Sequence, residues 1–216
     1  MSTSEYRIFL LSLDKRSFFD EMYKPLLGAL ASKASVQRAT KPAAAISYLS
    51  TNTPTAIIVT DPGIVKREHS AILEKVISYA SHGGIVILAG HFSSFVRPDD
   101  LNEFFHSRWN VPWKFGEYQR TTLRLNPQAR LANKAGLPAA YSQKAVFPSN
   151  VPLDAALYLP TEDSVTESLV FPPMPVADLK QTPVVFAPVG EGWLGYVGDV
   201  NAEVGSTAVV LAMCGL

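Results

Sequence analysis

The chain has one cysteine, no excess of charge of either sign and no apolar run of membrane length. Each absence removes a class of protein. A lone Cys214 cannot build an intrachain disulfide framework or a cysteine-based zinc cluster, and a free thiol fits a reducing compartment, so the cytoplasm is the expected address. The 19 Lys and Arg are balanced by 19 Asp and Glu, which leaves no global field to draw in nucleic acid or an anionic membrane surface. The apolar stretch Ile8 to Leu11 is too short for a signal-peptide core, follows Glu5 and leads into Asp14-Lys15-Arg16, so it reads as a first strand. No run approaches the roughly 18 residues of a membrane span, and a soluble protein is expected.

What is present alternates. Tyr6 to Leu13, Ala56 to Thr60 and Ile85 to Ala89 are nearly continuous apolar runs, as in strands buried on both faces of a parallel sheet. Between them, Met22, Leu26, Leu27 and Leu30 recur at helical spacing, as do Ile72, Val76, Ile77 and Ala80. Ser17 with Asp20 matches a capping box, Pro25 is placed to kink the first helix, Pro42 suits a first helical turn, and Gly83 suits a helix C-terminus. Ser35 to Arg38 reads as a polar, edge-like strand. The expected fold is α/β, with a doubly wound, mostly parallel sheet.

After His91 the pattern changes. Pro98 to Trp109 carries an apolar helical face, Val111 to Pro175 is proline-rich and alternates like short antiparallel strands, and "PPMP" at 172–175 suits a stiff connector. A single domain over 1–216 is expected, with residues 96–180 an antiparallel insertion or cap over the sheet. Thr182 to Pro188 and Trp193 to Val200 read as a closing strand pair, followed by a helix from about Ser206 to Cys214.

Ligands of doubly wound sheets bind outside the carboxyl ends of the strands. Each such end carries a polar group here: Asp14, Asp61, His91, and Asp199 with Asn201. Turn chemistry is the simpler reading of Asp14 and of Asp61-Pro62-Gly63. For His91 and Asp199, structural and functional readings weigh about evenly. In the insertion, Trp113, Tyr118, Arg120 and Arg124 combine aromatic faces with guanidinium groups, which suits a planar or anionic ligand above His91 and equally suits the polar face of a half-buried strand. The remaining histidines, His69, His82 and His106, fall on predicted helices or helix ends. No metal-ligand spacing occurs, and Gly83-Gly84 precede their strand rather than follow it, so neither a metal, a nucleotide nor another cofactor is expected.

"GGIVILAGH" at 83–91 and "GWLGYVGDVN" at 192–201 resemble the class I glutamine amidotransferase-like superfamily, and within it the trehalose-utilisation-type branch; the chain is also similar to a group of single-domain fungal proteins. The resemblance covers residues 6–92 and 182–215 and implies a flavodoxin-like fold. Glutamine-hydrolysing members carry an elbow cysteine in G-x-C-x-G and a histidine and glutamate in G-V-Q-F-H-P-E. Here His91 stands at the elbow, Asp199 where the histidine would be, and Asn201 where the glutamate would be. Thioester chemistry needs an activated thiolate, and the sole thiol falls in the closing helix, so glutaminase activity is not expected. "AGHFSSF" also lacks the G-x-S-x-G turn that would present Ser93 or Ser94 as a nucleophile.

Three readings stay open. The first is a non-catalytic binding protein whose crevice, lined by His91, Asp199 and Asn201 with Arg120 or Trp113 above, takes a small molecule or protein partner. The second is a hydrolase in which His91 is the general base, Asp199 orients it and Arg120 binds an anionic group. The third is a docking subunit that presents Phe92 and Phe95. Self-association is left open by the sequence.

Overall fold

The computed structural model describes residues 6–216. Strand β1 (Arg7–Leu11) leads through the short helix α1 (Phe19–Met22) into α2 (Lys24–Lys33), then β2 (Ser35–Ala39), α3 (Pro42–Thr51) and β3 (Ala56–Val59). Two 3-10 turns precede α4 (Ser70–Ser81) and β4 (Ile85–Leu88). The chain continues as α5 (Phe92–Phe95), α6 (Pro98–Glu103) with a π-helical turn over Phe104–Arg108, β5 (Lys114–Leu125), β6 (Ala140–Ser149), β7 (Ala156–Leu159), β8 (Val184–Val189), β9 (Gly192–Val197) and α7 (Val204–Met213).

All nine strands join one sheet in the order β2-β1-β3-β4-β9-β8-β7-β5-β6. The first five in that order run parallel. Their side chains alternate between two apolar layers. Phe9, Ile57, Val59, Val86 and Leu88 pack with Ala45 of α3 and with Ile72, Val76 and Ala80 of α4. Ile8, Leu10, Ala56, Ile58 and Ile87 pack with Leu26 and Leu30 of α2 and with Val209, Val210 and Met213 of α7. With both faces covered, β1, β3 and β4 need apolar residues at nearly every position, which is why they read as unbroken runs. Each fully buried Val, Leu or Ile contributes roughly 1.5–3 kcal/mol.

Of the segment expected as an insertion or cap, α6 and its π-helical turn pack on one face of the sheet, but its strands extend the sheet edgewise. β8, β7, β5 and β6 add antiparallel strands beyond β9. The last of them then returns to the first: Ala145 pairs with Asp199, Val146 N–H donates to the Gly198 carbonyl, and Val200 N–H donates to that of Lys144. The antiparallel half therefore curls until β6 meets the chain leaving β9. The edge that a flat sheet would expose is closed in this way.

Several local expectations shift. Ser17 caps nothing: α1 begins after Phe18 without a side-chain cap, while Asp20 binds Lys15 and Arg38. Pro25 does not kink a helix; it sits in the first turn of α2, where its missing N–H costs nothing. Pro42 does open α3, and Gly83, at φ +97°, follows α4 as expected. No helix among the described residues is long and apolar enough to cross a membrane.

Candidate functional site

The polar residues at the strand ends divide among different tasks. Asp61 is a turn clamp. Its Oδ1 accepts the backbone N–H of Gly63 at 3.0 Å and of Asp14 at 2.8 Å, so one carboxylate joins the ends of β3 and β1. Burial raises its pKa against the pull of those donors. The Asp14 carboxylate meets Lys66 at 3.4 Å and lines a cleft of about 380 Å³ between the 3-10 turns and α6, together with Arg67, Arg97, Asp100, Glu103 and Arg108.

His91 follows β4 through Gly90, whose φ of +63° turns the chain sharply. The imidazole is 1% exposed and enclosed by aromatic rings: Phe18 at 4.8 Å between centroids, Phe19 and Phe95 at 5.1 Å, and Tyr23 at 5.3 Å. Nε2 lies 3.4 Å from the Met22 sulfur, and Nδ1 has no hydrogen-bond partner. Burial, assisted by the Arg16 guanidinium, holds its pKa below 6.5. The ring is neutral at pH 7.

Asp199 does not orient it. Its two oxygens accept the backbone N–H groups of Asn201 (2.8 Å) and Glu203 (2.7 Å), a turn that leads into α7. Burial raises its pKa, opposed by the Ser206 hydroxyl and those two amides. Tyr23 separates the two residues expected to pair. Its ring packs on His91, and it shares with Asp199, Gly90 and Ser206 a cavity of about 20 Å³ that His91 does not line. The His-Asp constellation is therefore absent.

Arg120 is likewise engaged elsewhere. Nη2 meets Glu203 at 2.5 Å and Nη1 meets the Ser142 hydroxyl at 3.2 Å; with the Asn201 amide turned to present its oxygen, Nη2 reaches that too at 2.7 Å. Glu167 bonds the hydroxyls of Ser142 and Thr122 beside it. This network ties the curled β5–β6 pair to the start of α7 and leaves the guanidinium neutralised. Trp113 is not a ligand contact either: it is 1% exposed and packs edge-on to Phe105 in the core. Tyr118 is half exposed, with the Lys144 ammonium over its ring.

His91, Tyr118 and Asn201 do share a feature. They line a groove of about 490 Å³ at the carboxyl ends of β4 and β9, walled by Phe18, Met22, Phe95, Phe115, Val146 and Val200. Among the described residues no Lys, Arg, Asp or Glu lines it. Asp14, Asp61, Trp113, Arg120 and Asp199 lie outside its lining. Phe18, Phe19 and Tyr23, which enclose His91, left one usable signal in the sequence: three aromatic residues shortly after the first strand. Among the described residues, no group of three His, Cys, Asp or Glu is placed to hold a metal ion.

No protein-family model matches this chain, and no curated protein matches it. Solved structures do. A ThuA-like protein from Parabacteroides merdae superposes with a TM-score of 0.53 at 10% identity, over 98% of this chain and 88% of that one. The β-galactosidase of Bacillus circulans sp. alkalophilus gives 0.54 at 11% identity. That of the Antarctic haloarchaeon Halorubrum lacusprofundi gives 0.52 at 16%. Each galactosidase match covers 97% of this chain but 30% of the enzyme chain. At such identities the likeness is one of fold alone.

Proposed function

We propose that this chain is a flavodoxin-like, class I glutamine amidotransferase-like protein that does not hydrolyse glutamine and binds a small uncharged molecule in the His91 groove. The strand order β2-β1-β3-β4-β9 supports the fold reading, because it is the flavodoxin order with β9 as fifth strand. The ThuA-like neighbour points the same way. The loss of glutaminase chemistry is supported by a buried imidazole at the elbow, by an Asp199 consumed in a turn, and by a sole thiol that closes α7 under 1% exposure. One observation carries the binding reading: the groove lies where such sheets bind ligands, and its lining is apolar and aromatic with a few polar atoms. A reducing compartment such as the cytoplasm suits the free Cys214.

Two measurements test this. Ammonia release from glutamine is expected to be absent in the wild type; robust release abolished by Cys214→Ala overturns the reading. Uncharged ring compounds are expected to raise the melting temperature of the wild type and not of Tyr118→Ala, while Lys66→Glu, in the neighbouring cleft, leaves the shift intact. Shifts insensitive to Tyr118 place binding elsewhere. A docking role is favoured by a different observation: Leu169, Val170, Phe171 and Met174 stand exposed in one stretch. Concentration-dependent sedimentation abolished by Phe171→Ser would establish self-association through that stretch.

A further inference from the structure

Three facts about the groove, taken together, restrict what it accepts. The first concerns the tautomer of His91. A thioether sulfur accepts hydrogen bonds and cannot donate them, so Nε2, 3.4 Å from the Met22 sulfur, carries the ring hydrogen. Nδ1 of the neutral ring is then a bare acceptor, shut off from solvent and unmatched by any group of the described residues. Such a group is costly to leave unpaired and is satisfied only by a donor from outside the protein. Ser94 Oγ, in the same lining, is also buried without a partner.

The second concerns the cover. Phe19 and Tyr23 are core residues, but Phe18 and Phe95 are 50% and 41% exposed. Their rings shield one side of the imidazole while leaving about half of their own surface in solvent. Rotating them outward therefore sacrifices less packing than moving Phe19 or Tyr23, and rotamer changes of this kind are common on binding.

The third concerns the other polar atoms. Ser93 Oγ already donates to the Val197 carbonyl, and the Asn201 amide is matched by Arg120. Two buried hydrogen-bonding atoms remain unmatched, His91 Nδ1 and Ser94 Oγ, while the Tyr118 hydroxyl faces solvent on the groove wall. A sugar ring would leave most of its hydroxyls unpaired against this lining. A carboxylate would meet the bare acceptor Nδ1 in the interior with no proton to give it, the cations Arg16 and Lys144 standing outside, over the Phe95 and Tyr118 rings. A flat ring would find Phe115 and Tyr118 to pack against once Phe18 and Phe95 have moved.

We infer that the groove is a gated site for an uncharged aromatic ring bearing a hydroxyl: Phe18 and Phe95 swing aside, the ring packs among the aromatic side chains, and its O–H donates to Nδ1 of His91 with Ser94 Oγ as the second contact. This rests on the groove being a binding site and adds the chemical class it binds.

The test uses phenol, its O-methyl ether anisole, and benzoate, titrated into protein with ¹⁵N-labelled histidine. Phenol is expected to bind at least about tenfold more tightly than anisole, the equivalent of one hydrogen bond to an otherwise unpaired acceptor. It should also move the Nδ1 resonance of His91 away from its lone-pair position, while benzoate does not bind. His91→Phe keeps a ring in the aromatic enclosure and should reduce phenol to the anisole level without changing anisole. Phe18→Ala, which removes half of the cover, should tighten phenol binding, because the binding-competent state no longer has to be selected. Should His91→Phe fail to fold, the Nδ1 resonance of the wild type decides alone: an unmoved resonance at saturating phenol overturns the inference. Equal binding of phenol and anisole, both lost in Tyr118→Ala, overturns the hydroxyl contact and leaves the binding site standing. Absence of binding by every uncharged ring compound overturns the binding reading itself.

Discussion

Nε2 of His91 meets Sδ of Met22 at 3.4 Å, so the imidazole at the strand elbow is held by the first helix and not by the carboxylate of Asp199. A thioether orients the ring without favouring its protonation. An aspartate would have stabilised an imidazolium and prepared a general base. The same fold position that could have carried acid-base chemistry instead presents a neutral acceptor inside an aromatic enclosure.

This has a pH signature. The folded-state pKa of His91 is held below the ordinary 6.5 by burial first and then by Arg16. Between that lowered value and 6.5 the unfolded chain binds the extra proton, so stability rises with pH across this window. The contribution of the neutral ring is complete above pH 6.5 and is lost as pH falls through the lowered value. Buried Asp61 and Asp199, whose pKa values are raised, act in the opposite sense at more acidic pH, where the folded state takes up protons first. Urea midpoints of wild type and His91→Phe, compared from pH 8 down to pH 5, cancel that term. The wild type should lose stability relative to the variant below pH 6.5; parallel curves would refute the assignment.

Asp199→Asn should destabilise the fold while leaving His91 and Ser94, which it does not bond, in place. Both carboxylate oxygens accept backbone N–H groups, and an amide nitrogen in place of one oxygen leaves a buried donor facing a donor. The expected cost is about 1–3 kcal/mol in chemical denaturation. Affinity for phenol should be unchanged. A stable Asp199→Asn protein with a lost reaction would restore the catalytic reading.

Gly90→Ala tests the elbow. An added Cβ would lie 2.9 Å from Cε2 of Phe19 and 3.1 Å from the Thr60 carbonyl, on a backbone at φ +63°. The left-handed conformation costs roughly 1–2 kcal/mol for a residue with a side chain, and crowding of a packed site adds roughly 1–3 kcal/mol. Because Phe19 packs on His91, the displacement should also weaken binding in the groove. A variant as stable as the wild type would contradict the elbow geometry.

Cys214 should behave as a packing residue. It is 1% exposed at the end of α7, and burial pushes its thiol up to about 12. A thiol reagent should label it only at the rate at which the protein opens, and fast labelling of the native protein would show the burial to be wrong.

The layered α/β architecture was legible in the chain because strands covered on both faces must be apolar at every position and their helices at every third or fourth. Runs such as Ile85 to Ala89 state that constraint locally, and Pro42 and Gly83 mark helix ends through backbone geometry that needs no distant partner. The place of His91 at a strand elbow was legible for the same reason, since the end of a buried strand and a Gly-His turn are both local features. Its partners were not. Met22 lies 69 residues before His91, and Glu203 lies 83 residues beyond Arg120; which of several carboxylates or sulfurs meets each is set by strand register and helix packing. Trp113 and Tyr118 are alike in composition and close in sequence, yet one is core and the other wall, because α6 and its π-helical turn cover only the start of the chain entering β5. Likewise, alternation announced the strands of the insertion but not their place. Only the long-range backbone pairing of β6 with Gly198 to Val200 decided that they extend and close the sheet, and with it that the groove is walled on one side by Tyr118 and Val146.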